Sequence, residues 1–205
     1  TYLPITTYMR GTPPLEIMRG CAWNCNYCAT GLQKAIYRNL ESIKHFLDLT
    51  STASKRIYRV NFICPSAMEY QAPNGVGRQH EKSLVKIEEI LRLTRSYGFK
   101  YIEYGIFPSE IRPDTVSSEA INTLKQYVSH KYVTLGAQSG SNQRLKELKR
   151  AHTVEDIERA VAIVNDGGIM AYLDFIIAYP GETPAERRET LQFIKKLHKK
   201  YRVRT

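Results

Sequence analysis

Three of the chain's four cysteines fall within eight residues, in CAWNCNYC at positions 21 to 28. Disulfides fit poorly, because the remaining cysteine, Cys64, is remote and the chain otherwise reads as cytoplasmic. A structural zinc ion asks for four ligands, usually as two close pairs, so Cys64, His45 or His80 would have to be recruited to complete the set. Buried structural thiols would explain one or two of the cysteines, but not their clustering in a polar loop that carries Asn24 and Asn26. An iron–sulfur cluster explains the number three. A [4Fe–4S] cube normally takes one thiolate on each iron. Three cysteines leave one iron open to an exogenous ligand, as a catalytic metal site keeps an open position.

The elements around this loop read as alternating strands and helices. Short β-branched and aromatic runs at Leu15 to Arg19, Arg59 to Ile63, Tyr101 to Ile106, Tyr132 to Gly136 and Met170 to Ala178 predict strands, and Val203 opens a sixth. Helical periodicity follows each run, at Leu40 to Thr50, Glu81 to Tyr97, Thr115 to Ser129, Thr153 to Asp166 and Pro184 to Tyr201. Thr183-Pro184-Ala185-Glu186 predicts a capping box, and Thr153 with Asp156 a second. Gly167-Gly168 suits a helix end.

This repetition predicts an α/β fold of parallel strands joined by right-handed crossovers. It fits either a doubly wound sheet or an incomplete (βα) barrel; 205 residues are few beside the roughly 250 of a full eight-fold barrel. A single domain over 1–205 is expected, as part of a longer protein. In both architectures ligands bind at the carboxyl ends of the strands. CAWNCNYC directly follows the first strand and so lies at that end. No window supplies the roughly 20 apolar residues of a membrane span. The opening TYLPITTYMRGTPP lacks the pattern of a secretory signal. Thirty Lys and Arg against 20 Asp and Glu give a net charge of +10, which permits RNA as a partner. Part of the excess, Lys195, Lys196, Lys199, Lys200, Arg202 and Arg204, reads as a solvated helix end.

CAWNCNYC resembles the CxxxCxxC signature of the radical S-adenosylmethionine (SAM) superfamily, including an aromatic residue, Tyr27, before the last cysteine. The resemblance implies a partial (βα)5–6 TIM-like barrel. It implies a [4Fe–4S] cluster on Cys21, Cys25 and Cys28, with SAM on the fourth iron and cleaved to a 5′-deoxyadenosyl radical. It extends over nearly the whole chain and is strongest to the branch of tRNA methylthiotransferases, the Elongator catalytic subunit, oxygen-independent coproporphyrinogen oxidase and cobalamin-dependent members. By that resemblance Glu103 in YIEYGIFP, Gln138 and Ser139 in LGAQSGS, Arg150 in LKELKRAHT and Asp174 in LDFIIAYPGET approach SAM, with Tyr27 beside them. Arg150 takes the SAM carboxylate and Asp174 the ribose hydroxyls. The branch further implies methyl or methylthio transfer, a flavodoxin- or ferredoxin-type electron donor, a cytoplasmic setting without membrane attachment, and cobalamin in those members that carry a domain for it outside this core.

The sequence departs from the branch twice. Ala178 stands where glycine is usual. FICPSAMEY replaces the Gly-Gly-Glu after strand two, which leaves Ser66 or a backbone carbonyl for the SAM amino group. Cys64, in the same stretch, reads as a core thiol. Gly75-Val-Gly77 lacks the strand-to-helix context of a phosphate loop, and His152 and His198 read as surface residues. The rival reading is a zinc-stabilised nucleic-acid-binding module.

Overall fold

The computed structural model describes residues 13–53, 59–72 and 80–205. The opening segment at 1–12 and the Gly75-Val-Gly77 stretch lie outside the described residues. The chain forms strands β1 (Leu15–Glu16), β2 (Met18–Arg19), β3 (Ile36–Tyr37), β4 (Arg59–Ile63), β5 (Tyr101–Glu103), β6 (Tyr132–Gln138), β7 (Met170–Phe175) and β8 (Val203–Arg204). The helices are α1 (Leu40–Ala53), α2 (His80–Ser96), α3 (Ser118–Tyr127), α4 (Asn142–Glu147), α5 (Val154–Asp166) and α6 (Pro184–Lys200).

β1, β4 and β5 pair in parallel, as do β6, β7 and β8. The two sets join where Thr134 N–H donates to Gly105 O and Ile111 N–H to Thr134 O, with a parallel bridge between Ile111 and Leu135. The strands therefore run β1-β4-β5-β6-β7-β8 with no reversal of order. A doubly wound sheet reverses its order at a switch point; this one is a partial barrel. The helices cover its outer surface. Ile43, Phe46 and Leu47 of α1, Ile87 and Leu91 of α2, and Ile157, Val161 and Val164 of α5 share one core with Val60, Phe62, Ile102, Val133, Leu135 and Leu173 of the strands.

The capping boxes form as the sequence predicts, with Thr153 and Asp156 closing α5 and Thr183 and Glu186 closing α6. Several boundaries differ: β7 ends at Phe175 rather than Ala178, β6 runs on to Gln138, and the short α4 is an added element. The first strand splits, because Ile17 donates to Ile63 O while its own carbonyl accepts from Arg38, so the chain passes from partner β4 to the antiparallel hairpin β2-β3. β5 stops at Glu103, and the chain makes an excursion before rejoining the sheet at Ile111. Thr115, expected to begin α3, ends a separate 3-10 turn at Pro113–Thr115, and α3 starts at Ser118. No described helix is long and apolar enough to cross a membrane.

Candidate active site

The cysteine loop emerges from β2 at Gly20 and is held from two sides. Gly20 has φ +76°, and a Cβ there would stand 2.5 Å from Lys34 O, so the loop packs on the hairpin backbone at a point only glycine can occupy. Cys21 N–H donates to Gln33 O at 3.2 Å on that same hairpin. The far half is moored to the turn after α4. Asn26 N–H donates to Leu148 O at 3.1 Å, its side-chain amide donates to Glu147 O at 2.6 Å, and Cys28 N–H donates to Cys25 O. Cys25 is buried, with its Sγ 3.7 Å from Arg150 Nη1.

Inside the loop a cleft of about 510 Å³ opens among the carboxyl ends of the strands, within the usual range for small-molecule sites. Cys21, Cys25 and Cys28 line it together with Gln138, Arg150 and Asp174. Arg150 crosses it, donating from Nη1 to Tyr27 Oη at 3.0 Å and from Nη2 to Gly136 O at 2.8 Å. Gly136 marks the point of convergence. A Cβ on it would lie 2.7 Å from Gln138 Nε2, 3.3 Å from Glu110 Oε2 and 3.4 Å from Arg150 Nη2. Gln138 is buried at φ +67°, a left-handed conformation that β6 enters through an irregular register after Leu135.

The family model described as Radical SAM superfamily matches residues 15–194. The chain belongs to the radical SAM superfamily. It is 30% identical over 189 residues, 89% of its length, to tRNA-2-methylthio-N(6)-dimethylallyladenosine synthase of Acinetobacter baumannii (strain AYE), and spans 37% of that protein. Among solved structures it is similar to the cobalamin-dependent radical enzyme OxsB (TM-score 0.66, 23% identity, 88% of this chain and 26% of that one). It is also similar to the radical SAM methyltransferase TsrM from Kitasatospora setae (TM-score 0.64, 17% identity, 92% of this chain and 35% of that one), solved with cobalamin and a [4Fe–4S] cluster. The chain thus spans little more than a third of each of these proteins at most. The cofactors that membership implies are a [4Fe–4S] cluster and SAM.

The residues present fit that radical SAM pair. The donor set is three unbridged cysteines on one cleft wall, with cationic Arg150 facing them. Among the described residues no three His, Cys, Asp or Glu side chains gather closely enough to hold a single metal ion. The family match, not that absence, leaves the zinc reading unfavoured; three thiolates suit three separate corners of a cube. Cys64 stays out of the set: it is fully buried, its Sγ lies 3.6 Å from Met18 Sδ, and burial pushes its thiol up to about 12.

Two of the sequence candidates lie away from the cleft. Glu103 sits on β5 with its carboxylate 3.3 Å from Arg59 on the neighbouring strand, an ion pair that occupies it. Ser139 is buried and directs its hydroxyl to Thr190 on α6 at 3.2 Å. Glu110, which was not among the sequence candidates, is the glutamate that lines the cleft. It stands beside Asp174, and burial together with that second carboxylate raises it to about 7. Its signal was the turn SEIRPD, seven residues beyond Glu103, where the chain rejoins the sheet. Ser66 also lines the cleft. His152 corrects the surface reading: it is 2% exposed, its Nε2 is 3.2 Å from Ala137 O, and burial with the charges of Arg150 and Arg112 lowers it to about 3. His198 is exposed, as expected.

Proposed function

We propose that residues 1–205 act as one radical SAM core in which Cys21, Cys25 and Cys28 hold the cluster, and that the protein transfers a methyl or methylthio group to RNA. The observation that carries the first part is the single cleft shared by the three cysteines with Gln138, Arg150 and Asp174. Bound together, the cluster and SAM supply the one-electron chemistry that yields a 5′-deoxyadenosyl radical. The protein's own groups bind and orient. Arg150, pinned by Tyr27 and Gly136 O, presents a fixed guanidinium to the SAM carboxylate, for which a planar fork is suited. Asp174, paired with Glu110 on the cleft wall, accepts from the ribose hydroxyls. Ser66 faces the amino group.

RNA as substrate is supported by the 30% identical relative, whose name specifies a tRNA base, and by the net charge of +10. A cytoplasmic enzyme reduced by a flavodoxin- or ferredoxin-type protein completes the reading. The test is anaerobic incubation of the reconstituted full-length protein with reductant, SAM labelled in its methyl group and total RNA. Label in RNA nucleosides is the expected result. Formation of 5′-deoxyadenosine without RNA labelling would leave the radical core standing and remove the RNA assignment.

A further inference from the structure

The two halves of the cysteine loop are anchored differently. Cys25 to Cys28 is tied to the turn after α4, on the β6 side of the sheet. The Cys21 arm hangs instead from Trp23, whose indole meets the loops after β4 and β5. Its Nε1 donates to Glu69 Oε2 at 2.7 Å, and Ser66 Oγ donates to the same oxygen. Its ring face lies 3.6 Å under the guanidinium carbon of Arg112.

This arrangement matches the charge distribution of an indole, with an anion at the positive N–H edge and a cation on the negative face. Both charged partners are enclosed, Glu69 at 3% and Arg112 at 4% exposure. Nε and Nη1 of Arg112 are buried without a hydrogen-bond partner among the described residues, and Nη2 reaches Asp114 at 3.2 Å. The guanidinium therefore depends on the ring above which it sits. Trp23 also touches the cysteines through its backbone. Its amide donates to Cys21 Sγ at 3.5 Å, and a Cβ on Gly31, three residues beyond Cys28, would stand 2.2 Å from Trp23 O. Displacing the indole would thus move an N–H that points at a ligand sulfur and the turn that carries the last cysteine.

We infer that Trp23 is a positioning residue for the cluster, clamped by Arg112 and Glu69 so that the Cys21 arm is preset against the β4 and β5 half of the sheet. The inference rests on the assignment of the three cysteines as cluster ligands. Hydrogen bonds to ligand sulfurs and partners behind ligands tune both affinity and potential, so both quantities are the readouts.

The experiment compares reconstituted wild type, W23A, W23F and R112Q after loading to matched iron content. Measured are the rate of cluster loss to a strong iron chelator, the midpoint potential, and the EPR spectrum of the reduced cluster. W23A is expected to lose its cluster on the order of ten-fold faster than wild type, the scale seen when a ligand's supporting partner is removed. Its potential is expected to become more negative as the N–H···S contact loosens. W23F keeps a ring under Arg112 but lacks the N–H donor, so it falls between. Wild-type loss rate, potential and spectrum in W23A would overturn the proposal. Should W23A take up no iron, W23F and R112Q decide, and wild-type values in both would overturn it. Absence of iron from the wild type itself would instead overturn the cluster assignment beneath it.

Discussion

Arg150 Nη1 donates to Tyr27 Oη at 3.0 Å across 123 residues of sequence, joining the cysteine loop to the turn after α4. With Nη2 held by Gly136 O, the guanidinium is fixed before any ligand arrives. Replacing Arg150 by alanine is expected to weaken SAM binding by about 10- to 100-fold, the equivalent of about 1.5–3 kcal/mol for a charge-assisted pair. Arg150→Lys restores charge without the fork and recovers part of the loss. Equilibrium binding to the reconstituted protein checks this, and unchanged affinity in Arg150→Ala would remove the residue from the site.

Gly136 is the floor on which Gln138, Glu110 and Arg150 converge. An added methyl at 2.7 Å from Gln138 Nε2 forces these groups apart. Gly136→Ala should lower SAM affinity at least about ten-fold and cost about 1–3 kcal/mol of stability by overpacking. Thermal denaturation and SAM titration read the two effects separately. Wild-type affinity would mean that the convergence point is not where SAM binds.

Glu110 gives the fold a pH signature. Its folded value of about 7 stands above the ordinary 4.5, chiefly through burial and then through Asp174. Below pH about 4.5 it is protonated in folded and unfolded chains alike; between there and about 7 only the folded chain keeps the proton. Its contribution is therefore fully present at low pH and lost as pH rises through about 7. Glu110→Gln removes that dependence, so the variant should gain on wild type by about 3 kcal/mol over this window and no further above it. Denaturant melts at pH 4.5, 6 and 8 test the trend; a difference independent of pH would contradict it.

Ala178 adopts φ +60° in the loop after β7, a conformation that glycine takes without strain. A left-handed alanine is strained by about 1–2 kcal/mol, partly offset in glycine by the extra freedom of its unfolded chain. Ala178→Gly should therefore raise stability by about 0.5–1 kcal/mol and leave the Ala178 N–H bond to Glu182 in place. A lower melting temperature would show that the strain is relieved in solution.

The sequence was most legible where chemistry is local. Thr153 and Thr183 announce their helices because a hydroxyl and a carboxylate three residues on suffice to cap them. That the three cysteines share one cleft was legible for the same reason, their spacing lying within one loop. Glu110 was not singled out, because strand periodicity cannot show which residues beyond β5 reach the cleft. β5 ends at Glu103; Gly105 O still accepts from Thr134, and the chain next bridges β6 at Ile111, through hydrogen bonds with Thr134 and Gly136 that are set by tertiary packing. Ser139 lies next to Gln138 in sequence, yet its hydroxyl meets Thr190 of α6 rather than the cleft. His152 looked solvated amid charged neighbours, but the turn before α5 folds it beneath β6. The Trp23 clamp draws on residues 46 and 89 positions away, which no local pattern joins.

In the proposed centre three thiolates hold a cube and SAM takes its open iron. Anaerobic reconstitution of wild type and Cys25→Ala, followed by iron and sulfide analysis and by EPR of the reduced protein with and without SAM, is the decisive experiment. Wild type should carry about four irons per chain with a spectrum that SAM alters, and Cys25→Ala should carry almost none. A colourless wild type holding only zinc, or a Cys25→Ala protein with full iron content, would contradict it.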